Sequence, residues 1–172
     1  MGLPELLCLA VLSLHVGDNP ERGKFACDHM KEIVKSSIAN DIQPEILVAL
    51  IHQESRFKPW AVSRSGACGL TQILPRYTGD KATGVQKLSC EQLKNPTVSI
   101  TAGAKTLSYW VYKYGRGNYK VGLCGYNTGF RCKGQTPHPR GMGYARSVLS
   151  LSKQIKGEVT KLRKLQELSH VQ

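Results

Sequence analysis

Residues 54–75 of this chain have the sequence ESRFKPWAVSRSGACGLTQILP, in which a single carboxylate precedes a segment rich in turn-forming residues. Glu54 closes an apolar run, and small residues follow it before a second short apolar segment begins. A carboxylate at such a boundary can be partly removed from water while it still faces a cleft. Desolvation raises the pKa of a carboxyl group toward the range in which a general acid works near neutral pH. The competing interpretation is a solvated Glu at the end of a helix.

The residues before Glu54 favour the first interpretation. The segment Asp41-Ile42-Gln43-Pro44 is typical of a turn that leads into a helix with proline in its first turn. Apolar residues then recur at helical spacing, at Ile46, Leu47, Leu50 and Ile51. Glu54 lies four residues after Leu50 and therefore continues this buried stripe. Since catalysis is one of the commonest reasons for a carboxylate on the apolar side of a helix, we predict that Glu54 is catalytic.

The composition predicts one compact domain with a basic surface. The chain has 172 residues and a formal net charge of +12, a length that suits a single core. Residues 92–157 contain eleven Lys and Arg but no Asp or Glu. Such a surface suits nucleic acid, a membrane surface or an acidic cell-wall polymer, although an ordinary solvated face explains it equally well. Without a zinc-ligand spacing, a Gly-rich phosphate loop or a helix-turn-helix pattern, we expect no specific nucleic-acid partner, no metal and no cofactor.

Six cysteines occur at positions 8, 27, 68, 90, 124 and 132. The chain contains no CxxC pair, which argues against a zinc site or thioredoxin-like redox chemistry. Cys124 and Cys132 flank a Gly-containing loop that a disulfide between them could close, and Cys68 lies inside the segment quoted above. The alternative is that the cysteines are small buried apolar residues. Their pairing does not follow from the sequence.

The first residues allow two interpretations. Residues 6–16 form an apolar run that is too short to span a bilayer and resembles the core of a signal peptide. However, no Lys or Arg precedes the run, Glu5 does, and no Ala-x-Ala cleavage pattern follows it. We therefore expect an N-terminal helix that is kept in the mature protein, and no stable membrane insertion. The predicted organisation is a helical or signal-like segment at 1–24, a central domain at 25–155 and a basic amphipathic helix end at 156–172.

Helical periodicity dominates the rest of the chain. It predicts helices at about 25–39, 44–55, 97–113, 118–125 and 142–166, with Asn95-Pro96 starting the third and residues 115–118 ending it. Alternating strand patterns are scarce, so the fold class is mainly α with at most a small β-hairpin, near Thr78 to Val85. In the last helix, apolar residues form one stripe, which we expect to pack on the core: Val148, Leu149, Leu151, Ile155, Val159, Leu162, Leu165 and Leu168.

Aromatic residues concentrate in one region. Seven of the twelve lie between residues 109 and 130: Tyr109, Trp110, Tyr112, Tyr114, Tyr119, Tyr126 and Phe130. Some must belong to the core, and others could line a cleft. Flat aromatic faces suit the C–H-rich faces of sugar rings, while their polar ends can bond hydroxyl groups.

Three ordered motifs resemble those of one family. The first comprises Glu54-Ser55 and, after four further matching positions, residues 66–72 (GACGLTQ). Residues 125–129 (GYNTG) are similar to a Tyr-Asn-Ala-Gly loop, and residues 143–149 (GYARSVL) to a closing segment that carries an active-site tyrosine. Together they resemble the catalytic domain of soluble lytic transglycosylases over about residues 25–155. Thr128 in place of Ala, Thr71 in a position often taken by Met, and Cys68 and Cys124 beside the motifs depart from the family pattern.

The resemblance implies a lysozyme-like single domain that cleaves the MurNAc–GlcNAc β-1,4 bond of peptidoglycan and leaves a 1,6-anhydro-MurNAc end. Glu54 would protonate the glycosidic oxygen and then take a proton from the C6 hydroxyl. Ser63 would orient that carboxylate or the neighbouring acetamide, and Tyr144 would bond near Glu54. The residues that would line the sugar subsites are Gln72, Leu74, Tyr126 and Asn127.

The distribution of carboxylates is compatible with a mechanism that uses one of them. Only Asp80 and Glu91 lie between Glu54 and Glu158, and neither lies in a recognisable motif. Glycosidases with two carboxylates need one on each side of the bond, whereas a substrate acetamide can take the place of the second. The alternatives are a lysozyme-type hydrolase with Asp80 as the base, and a non-catalytic wall-binding or structural virion module. Since such an enzyme must reach the cell wall, we expect delivery by secretion machinery or a phage particle.

Overall fold

The computed structural model describes residues 1–133 and 138–169. Its eight α-helices, in chain order, are α1 (Leu3–Ser13), α2 (Pro20–Asp28), α3 (Met30–Ala39), α4 (Pro44–Ser55), α5 (Cys90–Leu93), α6 (Pro96–Ser108), α7 (Tyr119–Thr128) and α8 (Pro139–Ser169). Short 3₁₀ turns at Pro75–Tyr77 and Gly129–Cys132 and a π turn at Tyr109–Tyr114 complete the regular structure. The described residues form two isolated β-bridges but no strand. The prediction of a mainly α fold is confirmed.

Helix α4 runs through the centre of the core. Its residues 46–51 are all buried, with at most 3% of their surface exposed. As predicted, proline occupies its first turn and the preceding residue, Gln43, is extended. α4 packs against α3 and α8, and α8 also contacts α1 and α7. Truncating a fully buried leucine such as Leu50 to Ala is typically destabilising by about 2–5 kcal/mol, so this helix is firmly held.

One helix prediction needs correction at the N-terminal side. The segment at 25–39 is not one helix, because α2 ends at Asp28 and α3 begins at Met30. The start of α2 was missed, although Asn19 caps it by accepting a hydrogen bond from the Arg22 amide at 2.9 Å. Helix α1 packs its buried residues Leu6, Leu7, Ala10 and Val11 into the main core, and a disulfide joins Cys8 to Cys27 on α2.

The segment between α4 and α5 is long and mostly irregular, and it forms a small core of its own. Buried Cys68, Ile73, Val85 and Leu88 pack there with Leu93 and Ala102. The Cys68–Cys90 disulfide ties this segment to the start of α5. The predicted hairpin near Thr78 to Val85 is absent: Gly79 donates a backbone hydrogen bond to Val85, but turns occupy the residues between them. Aspartate and glycine in this stretch favour turns over paired strands.

Helix α8 is longer than predicted and only partly packed. Val148, Ile155 and Val159 are buried on the core as expected, but Leu165 and Leu168 at its end are 56% and 67% exposed. The end of the helix extends beyond the helices on which it packs, so the last apolar residues of the stripe have no packing partner among the described residues. Within the described residues, no helix is long and apolar enough to cross a membrane.

Candidate active site

Glu54 and Tyr144 meet across the interface between α4 and α8. Glu54 is the second-last residue of α4, and Arg56 ends that helix in the left-handed conformation with φ 53°. Tyr144 lies in the second turn of α8 and donates its hydroxyl hydrogen to Glu54 Oε1 at 2.6 Å. The contact joins residues 90 positions apart in the sequence. It is short enough for a strong hydrogen bond to an ionisable acceptor.

A small cavity of about 350 Å³ opens beside this pair. Its lining residues are Gln53, Glu54, Asn127, Arg140, Tyr144 and Ser147. The side-chain oxygen of Asn127 is buried and accepts no hydrogen bond from the described residues. Buried polar atoms are nearly always bonded, so this oxygen suits a donor on a bound ligand.

Burial raises the pKa of Glu54 from 4.5 to about 7, and the hydrogen bond from Tyr144 opposes this rise. The direction follows from desolvation, which disfavours the charged carboxylate more than the donated hydrogen bond favours it. Burial, together with the nearby Glu54, also raises the pKa values of Tyr126 and Tyr144 well above their usual range, so both hydroxyls remain donors. Below pH 7 most Glu54 carboxyls therefore hold a proton that they can give away, and near pH 7 protonated and ionised forms coexist.

A groove of about 630 Å³ continues from the Glu54 cavity, and Asn127 and Arg140 line both. The irregular segment after α4 forms one wall with Gln72, Leu74 and Tyr77. The opposite wall comes from the π turn, the end of α7 and the 3₁₀ turn after it, through Trp110, Tyr126 and Phe130 among others. Its aromatic faces and polar edges suit a chain of sugar rings.

Six of the seven site residues expected from the sequence line these cavities. Glu54 and Tyr144 line the small cavity, Gln72, Leu74 and Tyr126 line the groove, and Asn127 lines both. Two of them also hold the walls in place. The Gln72 amide donates to the carbonyls of Ala61 and Gly69 at 3.0 Å, and the Tyr126 hydroxyl donates to the carbonyl of Thr71 at 2.6 Å.

Ser63 is the seventh, and the structure does not bring it to Glu54. Its hydroxyl accepts a hydrogen bond from the Ala67 amide at 3.0 Å and contacts the Ser65 hydroxyl at 3.1 Å. It lines neither cavity. The side chain closes a local turn, so the orienting role expected from the resemblance has no support in this geometry.

Several groove residues were not singled out from the sequence. The aromatic cluster at 109–130 suggested cleft residues, and Tyr109, Trp110 and Phe130 are among those that line the groove. Tyr77, which lines the groove and is 66% exposed, has no sequence pattern of its own. Arg131 and Arg140 were counted only as part of the basic region. No cluster of metal-ligating side chains occurs within residues 1–133 and 138–169.

The fold and the Glu54 cavity together define a helical domain with a partly buried acid, Glu54, in a cavity that adjoins a groove lined by aromatic and polar residues. The family model for the transglycosylase SLT domain matches residues 32–141, and the chain belongs to this family.

Similar proteins include the endo-type membrane-bound lytic murein transglycosylase A of two Klebsiella pneumoniae strains. Each is 37% identical over 95 residues, which cover 52% of this chain and 47% of the relative. The match thus spans about half the length of these relatives.

Solved structures of lytic transglycosylases share the fold. An inactive mutant of the Pseudomonas aeruginosa enzyme Slt superposes with a TM-score of 0.67 at 24% identity, covering 79% of this chain and 25% of that one. The 70-kDa soluble enzyme of Escherichia coli gives a TM-score of 0.63 at 23% identity, with 73% and 24% covered. The expected lysozyme-like fold is therefore confirmed, on a chain that corresponds to about a quarter of either neighbour.

Proposed function

We propose that this chain is a peptidoglycan lytic transglycosylase that cleaves the MurNAc–GlcNAc β-1,4 bond and forms 1,6-anhydro-MurNAc, with Glu54 as its single acid and base. The observation that carries the proposal is the partly buried Glu54, with its pKa raised to about 7, in a cavity that adjoins the aromatic-lined groove. Membership of the SLT family and the lytic murein transglycosylase activity of the Klebsiella relatives support it.

The proposed reaction begins with Glu54 protonated. Tyr144 donates to Oε1, which leaves Oε2 to carry the proton toward the glycosidic oxygen. As the C1–O bond breaks, the acetamide oxygen of MurNAc attacks C1 and holds the sugar as a cyclic intermediate. The Glu54 carboxylate then takes the proton of the C6 hydroxyl, whose oxygen displaces the acetamide from C1. The proton count balances without water, and Glu54 ends protonated, ready for the next cycle.

The position of Asp80 favours this mechanism over hydrolysis with two carboxylates. Asp80 lines the long groove but not the Glu54 cavity. Its carboxylate accepts a hydrogen bond from the Ala82 amide at 2.8 Å and so stabilises a local turn. A hydrolase of the two-carboxylate kind needs its second carboxylate at the reacting sugar. The substrate acetamide fills that place in the proposed mechanism.

The proposed site of action is the cell wall, outside the cytoplasm. All six cysteines pair, as Cys8–Cys27, Cys68–Cys90 and Cys124–Cys132. Structural disulfides persist in oxidising compartments such as the periplasm and are rare in the cytosol. Peptidoglycan is anionic through its peptide stems, which suits the net charge of +12. Delivery by secretion machinery or a phage particle is part of this proposal.

Mass spectrometry of digested peptidoglycan tests the reaction. We expect muropeptides one water lighter than the reducing-end products of a hydrolase, and we expect the Glu54→Gln variant to release none at a measurable rate. Glu21→Gln, which changes an exposed carboxylate on α2, is the matched control and should digest like the wild type. Products with only reducing ends would identify a muramidase. Equal digestion by the Glu54→Gln variant would exclude Glu54 as the acid.

A further inference from the structure

The groove lining contains more positive than negative side chains. Three arginines line it, Arg76, Arg131 and Arg140, and Asp80 is the single carboxylate in the lining. Within the described part of the chain, none of these arginines lies within 4.0 Å of a carboxylate oxygen. Arg76 lies 5.0 Å from the ring centroid of its neighbour Tyr77. A groove built only for neutral sugar rings has no need for these guanidinium groups.

Arg131 is an exposed residue of the groove lining that is bonded to the turn that carries it. Its Nε donates to the Thr128 carbonyl at 3.2 Å, and its own carbonyl accepts from the His138 amide at 3.2 Å. The Cys124–Cys132 disulfide closes the same turn on the adjacent residue. The terminal nitrogens of this exposed arginine make no hydrogen bond with the described residues, so they are free to donate to a ligand in the groove.

Arg140 lies where the groove meets the Glu54 cavity, and it lines both. It precedes Tyr144 by four residues on α8, so both side chains share one face of the helix. Arg140 forms no ion pair with Glu54, whose pKa is raised by burial against the opposing effect of the Tyr144 hydrogen bond. Its charge is therefore available to a ligand beside the reacting bond.

We propose that Arg131 and Arg140 form a binding site for the carboxylate-bearing substituent on O3 of the muramic acid residue. This inference rests on the proposed function and names the part of the substrate that selects muramic acid over plain N-acetylglucosamine. An arginine fork binds a carboxylate through two parallel hydrogen bonds, which gives both affinity and orientation. Holding O3 of the sugar beside Glu54 fixes which glycosidic oxygen the acid reaches.

The carboxylate has two possible sources on the same O3 position. In glycan that carries peptide stems, the lactyl carboxyl is an amide and the charge comes from the stem. In glycan freed of stems by an amidase, the lactyl carboxylate itself is free. Both place an anion at the groove surface, and the two substrates distinguish them.

The test compares Arg131→Gln and Arg140→Gln with the wild type on three substrates: stem-bearing glycan, amidase-treated glycan, and glycan whose carboxyls have been converted to amides. Each variant should lose roughly tenfold in kcat/KM, through KM, on at least one carboxylate-bearing substrate, about the effect of one charge-assisted contact. On the glycan with amidated carboxyls (the blocked glycan), each variant should have the kcat/KM of the wild type. Loss confined to one carboxylate-bearing substrate identifies the source, and loss on both shows that either suffices.

Arg163→Gln is the matched control, because Arg163 is an exposed arginine of α8 outside the groove. Thermal midpoints confirm that each variant is folded. Equal losses on blocked and unblocked glycan, or no loss on either, would overturn the proposal, as would the same pattern in Arg163→Gln.

Binding separates this proposal from the proposed reaction. The Glu54→Gln protein should sediment with intact sacculi more strongly than with carboxyl-blocked ones, and adding Arg131→Gln and Arg140→Gln should remove that difference. If the wild type yields no anhydro product, the reaction fails while this measurement still decides the arginine site. Equal sedimentation with both kinds of sacculi would refute the site.

Discussion

The pKa of Glu54 is raised by burial and lowered by a hydrogen bond, and the net shift makes the folding stability of the protein depend on pH. Burial raises its pKa from 4.5 to about 7 although Tyr144 donates a hydrogen bond to it. When the folded state raises the pKa of a carboxyl group, that group makes the protein most stable at low pH, where it is protonated in both the folded and the unfolded state. As pH rises from 4.5 to 7, the unfolded state releases its proton first, and the folded state loses up to about 3 kcal/mol.

The first prediction follows from this linkage. We expect Glu54→Gln to be more stable than the wild type at pH 8 and nearly equal to it at pH 4.5, since Gln needs no proton and can still accept from Tyr144. Thermal midpoints across this range measure the difference, and Glu21→Gln should show no such trend. A Gln variant less stable than the wild type at pH 8 would mean that the Glu54 carboxylate is not desolvated.

Tyr144→Phe gives a second prediction at this scale. Loss of the hydroxyl removes the group that favours the carboxylate, so the pKa of Glu54 should rise and the alkaline limb of the activity profile should move to higher pH. Turnover should fall while the unfolding free energy changes by about 1 kcal/mol, because one hydrogen bond is lost and the ring remains. Kinetics against pH measure both effects.

Tyr119→Phe is the control for this comparison. Tyr119 bonds backbone groups of Asp41 and Gln43, and it lines neither cavity. Its loss should change stability without moving the activity profile. An unchanged profile in Tyr144→Phe would remove that hydroxyl from the site.

The position of Glu54 beside the cavity was predictable because the sequence evidence for it is local. The apolar spacing from Ile46 to Ile51 placed Glu54 on the buried side of one helix, and the structure buries that stripe. The groove positions of Arg140 and Tyr77 could not be predicted, because they depend on how elements distant in the sequence pack together. For Ser63 the motif was misleading. Its position in the motif predicts a role at Glu54, but its hydroxyl accepts a hydrogen bond within its own turn.

At the scale of elements, local end signals decided which helix boundaries were predicted well. Pro44 and Asn95-Pro96 start α4 and α6 where expected. No proline or glycine marks the break between α2 and α3 at His29. The helical periodicity of the two segments therefore predicts one helix. The C-terminal stripe was periodic throughout, but periodicity does not show where the packing partner ends, and Leu168 is exposed.

The turn of the first motif carries a prediction about backbone packing. Gly69 has φ +80°, and an added Cβ would lie 1.9 Å from the Leu93 carbonyl oxygen, which is backbone and cannot rotate away. We expect Gly69→Ala to lower the unfolding free energy by roughly 3 kcal/mol, from left-handed strain and steric overlap together. Chemical denaturation measures the change.

Gly66→Ala is the matched control in the same turn. Gly66 has φ +85°, but nothing lies within 4 Å of an added Cβ, so only the strain remains. We expect a loss of about 1 kcal/mol. Equal losses in the two variants would show that the approach of the Leu93 carbonyl has no energetic effect.

At the scale of the whole molecule, three disulfides fasten peripheral segments to the helical body. Cys8–Cys27 joins α1 to α2, Cys68–Cys90 ties the irregular segment to α5, and Cys124–Cys132 closes the turn that carries Phe130. Their pairing depends on tertiary proximity, so the sequence left it open. Because one disulfide lies beside the groove and another lies at the N-terminal helices, stability and substrate binding can be separated by removing each in turn.

The last prediction compares Cys124→Ser/Cys132→Ser with Cys8→Ser/Cys27→Ser. The sequence separations of 8 and 19 residues correspond to losses of about 2.5 and 3 kcal/mol in the chain-entropy account. Both variants should therefore unfold at lower denaturant concentrations. Below those concentrations only the first should show a raised KM, because its turn carries Phe130 and Arg131 on the groove wall. Steady-state kinetics at 25 °C separate the two, and a normal KM in the first variant would show that the turn keeps its shape without the disulfide.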